Sequence, residues 1–475
     1  MFLASRPVAS RSIFFVLLMA FTLVVGSLGC STETARQPDI LLITVDTLRP
    51  DHLGLYGYER PTSPRIDAFF AYGAIFERSY SVEANTPQSV LTLISGLPPR
   101  HHGVRSFYEL LSKDVEIVPD RLPGAYQSAA FVSNIVLTDE AIGIGGRFDY
   151  YDDFVDEPES DRDHIYERRA SRTTDAALKW LTESRDPERP LFLWVHYIDP
   201  HGPYDAPEGA PQRFEHANWS TPPKVGRIAA YQFDPEITNA YTYVDRYDEE
   251  IAYTDLHVGR LLDGYGANAK LDDAFVVLTA DHGESMIEHG LWFTHGYHVW
   301  NEILRVPLMI RGPGVEAGRR TGLTSGIDVA PTLLAAAGVA GPEARDELGR
   351  GFDLRRDQER PDRVVVGEAS LNDHRWRMGV RGNDKWIFST QGERVIPKFH
   401  YDLTKDPGEL GERQWFVNPP PKEVLALIET DPIDGTVAAD RKGQQLRGPK
   451  IDPRVTEAQR KQLEALGYGN TTPKE

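Results

Sequence analysis

Asp281 and His282, adjacent and followed by Gly283 and Glu284, are the pair best able to do chemistry in this 475-residue chain. A carboxylate and an imidazole delivered at one point can share a divalent cation, although Asp-His-Gly is also a sequence that turns favour. The pair follows the apolar run Ala274 to Thr279. Asp46 likewise ends the run Ile40 to Val45, and His196, Asp199 and His201 close the run that begins at Leu191. A carboxylate at the end of an apolar strand needs a partner to offset its desolvation; a metal supplies one, and capping of the turn Thr47-Leu48-Arg49 is the structural alternative. Asp46, Asp281 and His282 are the expected metal ligands. Thr86 precedes Pro87 and the apolar-rich Val90 to Ile94, which reads as a helix N-cap with proline at the first helical position. The same placement sets its hydroxyl among free backbone N–H groups that favour an incoming anion.

Unbroken apolar runs of this length suit strands buried on both faces. Between them, Thr173 to Glu183 and Asp245 to Asp263 carry apolar residues at helical spacing. Alternating strands and helices imply an α/β fold with a mostly parallel sheet flanked by helices. Ligands bind such sheets beyond the carboxyl ends of the strands, where the polar groups fall. The charged stretch Asp153 to Arg172 and the Pro/Gly-rich stretch Pro203 to Pro235 read as surface excursions. After about residue 365 short segments such as Trp376 to Val380 and Lys385 to Phe388 imply a smaller, partly antiparallel α+β region. The expected organisation is a leader over 1–30, a catalytic domain over 38–365 and a C-terminal subdomain over 366–475.

A formal charge of -19 disfavours nucleic acid as a partner and requires an anionic substrate to be met by local cations or a metal. Arg6 and Arg11, then the apolar run Ile13 to Val25 and small residues up to Cys30, read as a bacterial export signal. Ser12 to Gly29 is also almost long enough for a membrane anchor. Either reading places the protein outside the cytoplasm, in the periplasm or cell envelope. Cys30 is the one cysteine, so no internal disulfide can form. Ser27-Leu28-Gly29-Cys30 resembles the lipobox of bacterial lipoproteins, with its leucine one place late, and makes Cys30 a candidate for lipidation and membrane attachment.

Taken together, the motifs resemble the sulfatase family of the alkaline-phosphatase superfamily. Ile43-Thr44-Val45-Asp46-Thr47-Leu48-Arg49-Pro50-Asp51-His52-Leu53-Gly54 is similar to that family's opening motif. Thr86 to Gly96 with Pro98, Arg100, His102 and Gly103 is similar to its nucleophile helix and following turn. Glu288 to Trp292, Arg305-Val306-Pro307, Tyr401-Asp402-Leu403 and Asp406-Pro407-Gly408-Glu409 resemble later elements, so the likeness spans Asp39 to Gly467. It implies a sulfatase-like fold and metal-dependent hydrolysis of sulfate or phosphate esters.

Two departures bear on chemistry. The family's cysteine or serine, oxidised to formylglycine, is followed two residues later by proline and four later by arginine; here Thr86 holds that position, with Pro87 and Val90 after it. Threonine cannot give the aldehyde whose second hydroxyl expels sulfate, so its ester must be broken by water or another acceptor, a step suited to phosphoryl groups. The resemblance associates threonine nucleophiles with related phosphodiesterases and phosphoethanolamine transferases. Thr47 and His282 replace a second aspartate and an asparagine, which favours zinc or manganese over calcium or magnesium. Within Val195 to Pro203, His201 matches the family's substrate-side histidine and is expected to assist the leaving oxygen; His196 is a substrate-binding candidate. His295 falls near a lysine that holds the transferred group in sulfatases. With His289 and His298 it is alternatively part of a second metal site. Arg105 is either a substrate contact or a structural arginine. A conventional sulfatase and an inactive glycan- or partner-binding homologue remain the competing functions.

Overall fold

A computed structural model describes residues 1, 37–107, 109–155, 167–207, 209–211, 213–215, 228–229, 232–339, 351–356, 360–369, 375–391, 394–411 and 419–429. The chain divides into the units Met1–Gln37 and Pro38–Glu475. Apart from Met1, the expected leader, Cys30 included, lies outside the described residues. Every described strand and helix belongs to the second unit. Among the described residues no helix is long and apolar enough to cross a membrane.

Strand β1, Ile40–Val45, is apolar but for Thr44 and buried throughout, because its alternate side chains feed different cores. Ile40 and Leu42 pack with Leu91, Phe192 and Trp194, whereas Leu41, Ile43 and Val45 pack with Leu193, Tyr197 and Tyr247. Around β1 lie β2 (Ala74–Tyr80), β3 (Gln127–Phe131), β4 (Tyr150–Asp152), β5 (Leu191–Tyr197), β6 (Phe275–Ala280), β7 (Arg305–Val306), β8 (Leu308–Arg311) and β9 (Gly318–Ser325). Their spatial order is β4-β3-β5-β1-β6-β8-β2-β7, with β9 also paired to β2. The run β4 to β6 is parallel, and β8 runs antiparallel to both β6 and β2. The longer helices are α1 (Pro64–Phe70), α2 (Thr86–Ser95), α3 (Ala170–Glu183), α4 (Ala240–Asn268) and α5 (Val329–Ala336). Side chains of α2 and α5 enter the first core and those of α1, α3 and α4 the second, so helices cover both faces. This is the expected α/β architecture.

Register sets the site. Val45 stands level with Tyr197 on β5 and Ala280 on β6, so Asp46 and Asp281 leave the sheet side by side. Chain that departs from β1 returns on both flanks, which opens a crevice at the carboxyl ends of these strands.

A second, antiparallel sheet is formed by β10 (Val364–Ala369), β11 (Trp376–Arg381), β12 (Asp384–Gln391) and β13 (Arg394–Asp402). One face joins Tyr80, Trp300 and Leu304 in a third core, and helix α6 (Lys422–Glu429) covers the other through Val424 and Ile428. A buried ion pair fastens this sheet. Lys385 Nζ lies 2.7 Å from Glu409 Oε1 and donates to Asn301 Oδ1 at 2.9 Å, while Glu409 Oε2 accepts from the Asn301 backbone at 2.7 Å.

Candidate active site and metal centre

Asp46, Asp281 and His282 are fully buried, and their ligand atoms all lie within 4.8 Å of one another. His282 Nε2 is 3.5 Å from Asp281 Oδ2 and 3.9 Å from Asp46 Oδ1. His282 Nδ1 donates to the Gly283 carbonyl at 3.0 Å; a carbonyl only accepts, so the neutral ring keeps its lone pair on Nε2. Asp281 Oδ1 accepts from the His282 and Thr47 backbones at 2.9 and 3.3 Å, and Asp46 Oδ2 accepts from Asn134 Nδ2 at 2.8 Å. The remaining oxygens, Asp46 Oδ1 and Asp281 Oδ2, have no hydrogen-bond partner. Unpartnered carboxylate oxygens out of water are costly. Two of them beside an imidazole lone pair fit a divalent cation.

Electrostatics agree. Burial pushes Asp281 up to about 6, with the neighbouring Asp46 charge adding and His282 opposing. Burial acts in the same direction on Asp46, but His196, His201 and His282 together hold it well below the usual carboxylate range. Burial would lower His282, and the two aspartates outweigh it and raise the imidazole.

Local backbone holds these groups in place. A Cβ on Gly283 would stand 2.2 Å from the Glu302 carbonyl oxygen, and Gly283 N donates to the Ile303 carbonyl at 2.6 Å, so only glycine passes here. Thr47 sits at φ 54, strained for a β-branched residue. Tyr247 steadies it by donating to the Thr47 carbonyl at 2.8 Å while accepting from Arg49 N at 3.0 Å.

Thr86 meets the same group, its Oγ1 3.2 Å from His282 Nε2 and 3.4 Å from Asp46 Oδ2. It opens α2 as the first helical residue; the N-cap is Asn85, in extended conformation, one place earlier than the sequence spacing implies. Asn85 makes no side-chain capping bond; its amide donates to Glu83 Oε1 at 3.0 Å. One turn on, Ser89 donates to the Asp281 carbonyl at 2.5 Å and ties the helix to the metal loop.

The structure brings three other expected residues to this centre. His196 Nε2 is 3.7 Å from Asp46 Oδ2. The His295 ring lies 4.5 Å from that of His282 and 5.2 Å from that of His201. Burial lowers His201 to about 4, and burial with the nearby His282 lowers His295 to about 3. His201 Nδ1 donates to the Gly202 carbonyl at 2.7 Å, which leaves the lone pair of the neutral ring on Nε2. Arg105 lies 3.7 Å from Glu368 Oε1 on β10. His289 uses both ring nitrogens, toward Glu302 Oε1 at 2.8 Å and the Glu409 carbonyl at 2.9 Å. It stacks with His298 on Trp300. Among the described residues Asp46, Asp281 and His282 are the one group with such ligand spacing.

Sequence reasoning missed Asn134 and Glu284. Asn134 follows β3 across Val132 and Ser133, the same strand-end pattern that exposes Asp46 and Asp281. Glu284 is buried, pushed up to about 7 by that burial, and accepts from Tyr204 Oη at 3.1 Å, with His295 Nδ1 3.2 Å from its other oxygen. Its place beside His282 was visible, but not its partners.

A mostly parallel α/β sheet with a metal-ligand group at its strand ends, together with the family match below, defines a hydrolase that acts on ester bonds. The sulfatase family model matches residues 38–339, and the chain belongs to the sulfatase family, whose enzymes are metal-dependent. It is 27% identical over 433 residues to a choline-sulfatase of Rhizobium meliloti (strain 1021), covering 79% of this chain and 82% of that protein. To an arylsulfatase of Clostridium perfringens (strain 13 / Type A) it is 24% identical over 439 residues, covering 79% and 89%. Its fold is similar to that of a phosphonate monoester hydrolase from Silicibacter pomeroyi, with TM-score 0.63, 19% identity and coverage of 87% and 100%.

Proposed function

We propose that this chain hydrolyses phosphorus esters through Thr86, at a zinc or manganese centre held by Asp46, Asp281 and His282. The observation that carries the reading is the Thr86 hydroxyl at the start of α2, 3.2 Å from His282 Nε2 and 3.4 Å from Asp46 Oδ2. A divalent cation bound there supplies positive charge that acidifies a hydroxyl and offsets the charge of a bound anion. Thr86 Oγ1 attacks the central atom, the alcohol leaves, and water cleaves the threonine ester. Neutral His201 has a lone pair but no spare proton at pH 7, so it must take up a proton before it assists the leaving oxygen. His295 lies where it can contact the transferred group, and the start of α2 adds backbone N–H groups. The sulfated substrates implied by the relatives' names favour a second reading, hydrolysis of sulfate esters at the same site. Transfer to a lipid or glycan hydroxyl and an inactive binding role are weaker alternatives. We place the enzyme at the bacterial cell envelope, tethered through Cys30, on sequence grounds alone.

The test is turnover of aryl sulfate, aryl phosphate monoester and phosphate diester by the wild-type chain and by Thr86→Ala, each with zinc or manganese. Phosphorus-ester activity that falls about 10³-fold or more in the variant supports the reading. Full activity in Thr86→Ala removes threonine as nucleophile, and sulfate-ester activity alone shifts the assignment to the second reading.

A further inference from the structure

Two of the buried imidazoles near Asp46, His196 and His282, are given opposite tautomers by the groups behind them. Thr44 on β1 lies in register with His196 on β5, and both are fully buried. Thr44 Oγ1 is 3.0 Å from Trp194 Nε1 and 2.9 Å from His196 Nδ1. The indole N–H can only donate, so it takes a lone pair of the hydroxyl. The single hydroxyl proton then has His196 Nδ1 as its acceptor. The reverse arrangement, with Nδ1–H donating, would strand that proton in a dry interior. Nδ1 therefore accepts, and the ring carries its proton on Nε2. That atom is buried, has no hydrogen-bond partner and stands 3.7 Å from Asp46 Oδ2, too far for a bond. His282 is the opposite case, since the Gly283 carbonyl holds its proton on Nδ1 and leaves Nε2 bare. One ring offers a lone pair to a cation. The other offers an N–H, which cannot coordinate one.

We propose that His196 is a hydrogen-bond donor, through Nε2, to an oxygen of the bound tetrahedral oxyanion, kept out of the metal's coordination by the buried chain Trp194 to Thr44 to His196. Asn134 holds Asp46 Oδ2 at 2.8 Å, and at 3.7 Å from that oxygen His196 Nε2 is beyond hydrogen-bond reach, which leaves its N–H for a ligand oxygen. The proposal rests on Asp46, Asp281 and His282 as metal ligands and is independent of Thr86 as nucleophile.

Two measurements test it. Nitrogen-15 spectra of the metal-free full chain with labelled histidine should show His196 protonated on Nε2, and Thr44→Val should lose that single tautomer. Inorganic phosphate, titrated calorimetrically into the manganese-loaded full chain, should bind His196→Gln, whose amide N–H reaches a similar place, within about threefold of wild type, and His196→Met at least about tenfold more weakly. Metal content should be equal in all three. A proton on Nδ1 in the wild type overturns the lock. Loss of metal from both His196 variants makes the residue a ligand, and equal phosphate affinity throughout makes it structural; either result overturns the proposal. The nucleophile assignment is read separately, from ester turnover, which neither the histidine spectra nor the phosphate titration measures.

Discussion

Lys385 and Glu409 are both fully buried, with their charges 2.7 Å apart. At an effective dielectric of about 20, attraction over that distance is about 6 kcal/mol, but each ion gave up several kcal/mol of hydration to reach it. Burial accordingly pulls the lysine down and the glutamate up in pKa, each opposed by its partner. The pair adds little net stability, yet neither charge tolerates loss of the other. In Lys385→Met, similar in length, Glu409 keeps the Asn301 N–H at 2.7 Å, while Asn301 Oδ1 loses its lysine donor. The expected cost is about 3–5 kcal/mol. Urea unfolding followed by tryptophan fluorescence reports on it, since Trp300 packs in the core shared by the two sheets. Adding Glu409→Gln removes the stranded charge and should recover more than half of the loss. A single-variant cost under about 1 kcal/mol, or a double variant as unstable as the sum of its singles, would refute this account.

Gly283→Ala should lower metal affinity at least about tenfold while the chain still folds, because the new Cβ meets the Glu302 carbonyl at 2.2 Å and displaces the loop; metal titration measures it. Chelation should lower the melting temperature and added zinc or manganese restore it, and Asp281→Asn should abolish that response. His102 is held neutral by burial, down to about 3 from 6.5. Between those values the unfolded chain binds a proton that the folded chain refuses. Its contribution is therefore whole above pH 6.5 and lost as pH falls toward 3. Unfolding at pH 7 and 5 should differ by about 2 kcal/mol from this residue, and His102→Gln should flatten that difference.

The strands were legible because burial on both faces leaves an unbroken apolar signature: Ile40 to Val45 is found at its expected bounds, and Leu191 and Ala274 mark the others to within a residue. Strand ends then announced Asp46 and Asp281. Asn134 escaped because β3 begins with Gln127 and Ser128, which blur the apolar run. Glu409 and Lys385 escaped for another reason. Each looks like a surface residue in its own segment, and only tertiary packing, with Asn301 supplied from far away, makes their burial tolerable. The tautomers of His196 and His282 depend on atoms that no spacing rule addresses, one a threonine on a neighbouring strand and one a carbonyl of the next residue.

The central strand β1 is made first and gains both partners late. Its neighbours β5 and β6 begin at Leu191 and Phe275, so at synthesis rates of about 5–20 residues per second the interval before β6 emerges is roughly 10–50 s. Through that time an apolar strand keeps at least one edge open, a template for aggregation. A fragment that stops before Ala280 has Asp46 but no Asp281, and can neither close the sheet nor hold an ion there. Closure of the sheet around β1, and with it assembly of the ion site, thus waits until the chain has been made past His282.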